Sequence, residues 1–266
     1  MKAKLFCLTL ALAGLCGGAP AQAQTPAQTP AQTPAPAAQD KPAPKADEKL
    51  PAAEEVFGKY IKALGGEAAL GKFKSRVTRG SVEFAPMGVK GTFVTSQKAP
   101  DKSYTQINLT GLGDFQQGYD GAVGWAKDPF TGLREMKAGE LASFQRGSLL
   151  NPSGWRTAYK SMKVTGRAKV GEREAYVVEG AHAGDTPDKF YFDTQTGLLL
   201  RMDAVIDSPQ GRIVSQTTFD DYREVDGVKV SHSSRSVLGA ATITMRVEEI
   251  KNDAPLEDKI FTKPAS

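Results

Sequence analysis

The residue types best suited to acid–base or nucleophilic chemistry in this sequence are its two histidines, His182 and His232. His182 lies beside a predicted loop, and His232 lies between two serines in a predicted strand. A serine hydrolase needs a serine activated by a histidine that a carboxylate orients. The sequence has no G-x-S-x-G elbow that would present such a serine. We therefore predict no catalytic residues and a protein that is not an enzyme.

Candidate metal and cofactor ligands are equally sparse. The two histidines lack coordinating spacing, and both cysteines lie within the first 16 residues. Asp226-Gly227 is explained by a turn, and Asp220 and Asp221 would point to opposite faces of a strand. Residues 111–113, Gly-Leu-Gly, are too short for a dinucleotide-binding loop. The sequence therefore predicts neither a metal site nor a cofactor.

The first 23 residues are typical of a secretory signal peptide. A short basic segment precedes an apolar run over residues 5–15, and Ala21-Gln22-Ala23 offers a small-x-small cleavage site. An alternative is lipidation of Cys16, which two glycines follow as in a bacterial lipoprotein. The bulky Leu15 before this cysteine argues against lipidation. We favour cleavage after Ala23, with membrane tethering through Cys16 as the alternative.

Residues 24–49 have the composition of a linker. The unit Gln-Thr-Pro-Ala starts at positions 24, 28 and 32, and a Pro/Ala/Lys-rich run follows. Such a segment has almost nothing to bury and is expected to be extended and disordered. The folded domain is therefore predicted over residues 50–266. The chain has a net charge of +4 with its charges interspersed, which argues against nucleic-acid binding.

Alternating apolar and polar residues dominate the sequence after position 76 and predict strands. In residues 191–206 an aromatic strand enters an Asp-Thr-Gln-Thr-Gly turn, and a second strand leaves it with one apolar face. The residues predicted on that face are Leu198, Leu200, Met202, Ala204 and Ile206. About ten or eleven short strands follow one another with few helices between them, which predicts a mainly β fold built on one antiparallel sheet or barrel.

Two helices are predicted beside the strands. Residues 51–64 begin at a proline, end at Gly65-Gly66 and carry an apolar stripe at helical spacing. Residues 137–150 predict a second helix with fewer apolar positions. We expect the first helix to pack its apolar stripe on the sheet.

Four segments carry a resemblance to a known family: GYDGAVGWAKDP (118–129), YFDTQTGLLLR (191–201), FDDYREVDGVKV (219–230) and VFGKYIKALGGEAAL (56–70). They resemble secreted bacterial proteins of the LolA-like, outer-membrane lipoprotein-sorting class, the LolA/LolB/LppX superfamily. The resemblance covers most of residues 51–263 in the expected order. It implies a periplasmic protein whose incomplete, strongly curved antiparallel barrel, a half-barrel, wraps around helices that plug its mouth. It also implies an apolar inner face that accepts acyl chains of lipoproteins or other lipids.

Since the resemblance supplies no functional residues that match position by position, candidates for a lipid-binding face come from the strand patterns. An apolar concave face takes up alkyl chains at roughly 0.8 kcal/mol per buried methylene. For each candidate the alternative is a dry core packed against the helices. The candidates are Phe84, Phe93, Ile107, Leu109, Trp125, Leu198, Leu200, Met202 and Ile206.

The function predicted on this basis is that of a periplasmic carrier in lipoprotein sorting and outer-membrane biogenesis. It would bind a lipid or the acyl chains of a lipoprotein reversibly, with helices lifting from the mouth to admit the chain. We expect a monomer that receives its ligand from an inner-membrane partner protein and delivers it to an outer-membrane one. The alternative is an envelope sensor or assembly module that binds a protein partner and carries no lipid.

Overall fold

The computed structural model describes residues 49–147, 150, 152–183, 186–208 and 211–265. The predicted signal peptide over 1–23, the Cys16 lipidation site and residues 24–48 of the predicted linker lie outside these residues. The helices are α1 (Ala53–Ala63), α2 (Glu67–Gly71), α3 (Ala138–Gly147) and α4 (Trp155–Ala158), with 3₁₀ turns at Pro152–Gly154 and Asp258–Ile260. The strands are β1 (Ser75–Ala85), β2 (Val89–Lys98), β3 (Lys102–Leu109), β4 (Gly113–Tyr119), β5 (Gly124–Asp128), β6 (Gly132–Glu135), β7 (Ser161–Val170), β8 (Arg173–Ala181), β9 (Asp188–Asp193), β10 (Leu199–Ser208), β11 (Gly211–Val225), β12 (Val228–Leu238) and β13 (Ala241–Asn252).

All thirteen described strands form one antiparallel sheet in the order β6-β5-β4-β3-β2-β1-β13-β12-β11-β10-β9-β8-β7. Every neighbouring pair except β1 and β13 is consecutive in the chain. The first and last strands therefore meet in the middle of the sheet, where Arg76 lies opposite Asn252 and Ala85 opposite Thr242. The edge strands β6 and β7 do not pair with each other, so the sheet stays open. The predicted mainly β fold with an open half-barrel is confirmed.

The sheet is strongly curved, as α3 shows. An ideal Cβ on Gly124 of β5 would lie 2.5 Å from Leu141 Cδ1 in α3, and one on Gly139 of α3 would lie 3.3 Å from Asp207 Cβ in β10. In the sheet β5 and β10 are eight strand positions apart, about 38 Å if the sheet were flat. A ten-residue helix is about 15 Å long. One short helix contacts both strands because the sheet curls back toward itself.

Two apolar clusters share the concave face of this sheet. The first joins the helices to strands β7–β12: Phe57 and Tyr60 of α1 pack with Phe192 of β9 and Val228 of β12. The second joins the far ends of the strands, where Phe84 of β1 and Phe115 of β4 share a cluster with Ile206 of β10. The helices therefore cover one end of the concave face, and the curled sheet covers the other end with its own strands.

Helix α1 forms where the sequence predicts it. Pro51 precedes it, Glu54 and Glu55 lie in its first turn, and Gly65-Gly66 follow with positive φ angles of 123° and 89°. The described part of helix α3 runs from Ala138 to Gly147, within the predicted 137–150 helix, and residues 148 and 149 of that prediction lie outside the described residues. Helix α1 is confirmed as an element that buries its apolar stripe on the sheet.

The predicted alternation along β10 is wrong at Leu200. Leu199 lies opposite Phe192 and Arg201 opposite Tyr191, so Leu200 is an extra residue, a β-bulge. Leu199 consequently packs under the helices, whereas Leu200 packs with Val177 and Tyr191 in a separate cluster. The bulge changes which residues face inward, so Leu200 does not share a cluster with Met202 and Ile206.

Gly80 tests how closely β1 packs on β13, because it lies at the register shift between these two strands. An ideal Cβ there would lie 1.9 Å from the Arg246 carbonyl oxygen, so we expect Gly80→Ala to reduce the free energy of unfolding by about 2 kcal/mol or more. The control is Gly58→Ala inside α1, where a Cβ meets nothing within 4 Å and should stabilise the protein by up to about 1 kcal/mol. Urea denaturation followed by circular dichroism measures both, and an unchanged Gly80→Ala midpoint would contradict the close packing.

Candidate ligand-binding cavity

A cavity of about 320 Å³ lies between the concave face of the sheet and the helices. Its floor includes Met202 of β10 with Phe219 and Tyr222 of β11, and its roof includes Tyr60 of α1 and Trp155 of α4. The rings of Tyr60 and Trp155 stack with centroids 5.9 Å apart. The wall is thus mainly aromatic and aliphatic. An alkyl chain or another apolar group of modest size fits such a surface.

The polar part of the same wall is cationic. Arg76 of β1, Arg146 of α3 and Lys229 of β12 line the cavity, and no Asp or Glu occurs among the described lining residues. Ser231 and Ser234 line the β12 side of the cavity. The cavity therefore combines an apolar surface with a positively charged one.

Helix α3 lines one side of the cavity with Arg146 and Gly147 and is anchored near its amino end. Glu140 is buried and accepts two hydrogen bonds from the Arg134 guanidinium of β6, at 2.8 and 2.7 Å. Ser143 Oγ lies 3.4 Å from the backbone nitrogen of Asp207 in β10. Bidentate Arg–carboxylate pairs are among the stronger side-chain contacts. This helix therefore bridges the first edge of the sheet and the strand that curls back toward it.

The carboxyl end of α3 is anchored by a buried carboxylate, Asp188 of β9. Arg146 Nε lies 3.3 Å from one carboxylate oxygen of Asp188, and the Tyr159 hydroxyl donates to the same oxygen at 2.6 Å. His182 Nε2 lies 3.5 Å from the other oxygen. Burial, followed by the Asp188 charge, raises the pKa of Tyr159, so this phenol stays protonated and can donate. The cluster ties α3 and the residue after α4 to β9.

The two histidines lie at different strands of the sheet, with His182 directly after β8 and His232 in β12, four strand positions away. His182 packs in the Asp188 cluster, with its ring centroid 6.2 Å from that of Tyr159. His232 of β12 is buried, and its Nδ1 lies 2.9 Å from the Val230 carbonyl oxygen. The neighbouring Ser231 hydroxyl is positioned to donate to the backbone oxygens of Asp220 and Ser233. The geometry of both histidines is accounted for by structural contacts.

Among the described residues, no group of three or more His, Cys, Asp or Glu side chains is arranged to hold a metal ion. None of the helices in the described part of the chain is both long enough and apolar enough to span a bilayer.

The structure separates the nine residues predicted to form a lipid-binding face. Met202 lines the cavity, and Leu198 packs beside it against the helix-covered cluster. Leu200 lies in the separate cluster described above. Trp125 is buried elsewhere, where its indole donates to the Phe261 carbonyl oxygen at 2.7 Å. The remaining five pack together in the second concave cluster and are Phe84, Phe93, Ile107, Leu109 and Ile206.

Several cavity residues were not predicted from the sequence. Phe219, Tyr222 and Val230 belong to the FDDYREVDGVKV segment, whose aromatic residues were a usable signal. Arg76 carried no such signal, because it lies opposite Asn252 only when the two ends of the domain pair. Arg146 and Asp188 likewise meet through the fold, across 42 residues of chain.

By its architecture this protein is an open antiparallel half-barrel that keeps a cavity between its concave face and short covering helices. Its described architecture is similar to two solved structures. The first is the LolA superfamily protein NE2245 from Nitrosomonas europaea, with a TM-score of 0.55, 12% identity, and coverage of 80% of this chain and 99% of that one. The second is a DUF1329 family protein from Desulfovibrio piger ATCC 29098, with a TM-score of 0.52, 12% identity, and coverage of 79% and 96%.

The chain therefore has a LolA-like fold, as the resemblance of its sequence segments predicts. No protein-family model matches the sequence, and no curated protein matches it either. The likeness is one of fold, since 12% identity is too low to transfer individual residues.

Proposed function

We propose that this protein is a non-enzymatic carrier that shields the alkyl chain of a lipid or an acylated lipoprotein in the cavity beneath α1, α3 and α4. The observation that carries the proposal is the cavity itself, about 320 Å³ with aromatic and aliphatic walls on the concave face of an open half-barrel. A concave space of this size with a mainly apolar wall is suited to a small ligand or part of a larger one. The LolA-like fold supports the same role.

Burial of an alkyl chain supplies the free energy of such binding without a covalent step. Each methylene removed from water contributes roughly 0.8 kcal/mol, so six buried methylenes contribute about 5 kcal/mol. The observed volume lies at the small end of ligand pockets, which span roughly 300–1,000 Å³. A long acyl chain therefore needs a larger space than this cavity provides. Movement of α3 and α4 away from the sheet would supply it.

The proposed site of action is the periplasm. The proposed organisation is a signal peptide over residues 1–23, a spacer over 24–49 and the carrier domain over 50–266. The signal peptide would direct the half-barrel to that compartment, and tethering through Cys16 is the alternative. An inner-membrane donor protein and an outer-membrane acceptor protein would complete the transfer. Reversible shielding of an apolar chain is the whole of the proposed mechanism.

The site is tested by placing a charge in the cavity. Met202→Glu should weaken binding of the neutral probe N-phenyl-1-naphthylamine about tenfold or more, because an alkyl or aromatic ligand leaves the new carboxylate poorly solvated. Val214→Glu introduces the same charge on neighbouring β11 at a side chain that is 68% exposed and serves as the control. Fluorescence titration measures both. Equal probe affinities for folded Met202→Glu and wild-type protein would contradict this site.

A reversible disulfide cross-link tests the movement of α3. An ideal Cβ at Gly139 lies 3.3 Å from Asp207 Cβ, close to the spacing of a disulfide, so Gly139→Cys with Asp207→Cys should cross-link α3 to β10. The oxidised double variant should take up 1-oleoyl lysophosphatidate poorly, and reduction should restore uptake. Each single variant under the same oxidant is the control, since the sequence's only cysteines lie in the predicted signal peptide. Equal uptake by the oxidised and reduced forms would contradict an opening at α3.

A further inference from the structure

The three cations of the cavity are not equivalent. Arg146 is compensated by the buried Asp188 carboxylate at 3.3 Å. Lys229 is exposed, so water solvates its ammonium group. Arg76 is half-buried and forms no ion pair with any described residue within 4 Å. Of the three, only Arg76 is neither paired with a described carboxylate nor exposed to water.

The contacts of Arg76 hold its guanidinium in place without neutralising it. Its Nε donates to the amide oxygen of Asn252 at 2.8 Å, and its Cζ lies 5.8 Å from the Phe73 ring centroid. Asn252 in turn donates to Asp226 at 2.9 Å, and the Asp226 charge acts on Arg76 through space rather than by contact. Burial lowers the pKa of Arg76, and the charge of Asp226 opposes that effect only in part. A positioned and desolvated guanidinium has donors left for an anion.

The surroundings of Arg76 also define what kind of anion fits. The described lining residues include no carboxylate that would repel it. Aromatic and aliphatic side chains of Trp155, Leu70 and Met202 line the same cavity. An inorganic anion would leave this apolar surface uncovered, whereas a neutral alkyl chain would leave the guanidinium without a partner. A molecule that carries both parts satisfies both surfaces.

We propose that the cavity selects an amphiphile with an anionic headgroup, a carboxylate or a phosphate, which Arg76 binds while the alkyl part lies against Trp155 and Met202. This inference rests on the proposed carrier function and adds the chemical class of the ligand. A bidentate guanidinium–oxyanion contact gives the headgroup both affinity and orientation. The alkyl chain then extends along the concave face toward the helices that cover it.

Four competitors for N-phenyl-1-naphthylamine on the wild-type protein test the inference. Oleate and 1-oleoyl lysophosphatidate should each displace the probe at concentrations about tenfold lower than oleyl alcohol, since a charge-assisted hydrogen bond is lost with the alcohol. Their relative affinities show whether a carboxylate or a phosphate is preferred. Inorganic phosphate should not displace the probe at the same concentrations. Equal binding of the alcohol and the two anions, or phosphate binding as tightly as the lysolipid, would overturn the inference and leave the carrier function standing.

Variants of Arg76 give a second readout that does not depend on overall stability, because the ratio of two ligand affinities is measured on the same folded protein. Arg76→Gln should reduce the preference for oleate over oleyl alcohol from about tenfold to below about threefold, and Arg76→Lys should retain most of it. Arg79→Gln is the matched control: it removes the same charge from β1 at a residue that faces Glu249, 3.8 Å away, and should keep the wild-type ratio. An unchanged ratio in Arg76→Gln would overturn the role of Arg76. Failure of all three alkyl ligands to bind wild-type protein would instead contradict the carrier function itself.

Discussion

The constraint on which the rest of this structure depends is one continuous sheet with a large apolar face and few helices to cover it. Thirteen strands form that sheet, and only α1 among the described helices presents a long apolar stripe. The sheet buries part of this face by curling, so that Phe84 and Phe115 pack in one cluster with Ile206 although their strands are distant in the strand order of the sheet. The helices cover the other end, where the aromatic residues of α1 and β9 pack together. Between these two packed regions the cavity remains.

Electrostatic contacts decide how firmly that cavity is covered. Helix α3 contributes little apolar surface, yet it is held at both ends by buried ion pairs, Arg134 with Glu140 and Arg146 with Asp188. Contacts of this kind are directional, and they can be exchanged for water when an element moves. Apolar packing is therefore concentrated in α1 and the sheet, and polar contacts are concentrated in α3. This division of roles suits an element that opens for a ligand while the rest of the fold stays assembled.

Local signals in the sequence predict the elements well, and they fail where two distant segments meet. Asp120-Gly121 and Asp226-Gly227 lie at turns between strands, and the apolar stripe of α1 predicts the face that this helix buries. The bulge at Leu200 was not predictable from alternation, because only pairing with β9 creates the extra residue. Arg76 gains its setting from Asn252, which is 176 residues away in the sequence. Apolar patterns thus predict the fold, whereas the polar part of the candidate site depends on tertiary structure.

The central claim is that the cavity holds an alkyl chain in the envelope, and native mass spectrometry tests it most directly. The protein would be purified from its native envelope without detergent and measured intact, then with collisional activation. The account predicts a population with the mass of the polypeptide plus a non-covalent lipid or acylated ligand, which activation releases. A polypeptide that is consistently bare across preparations would contradict it.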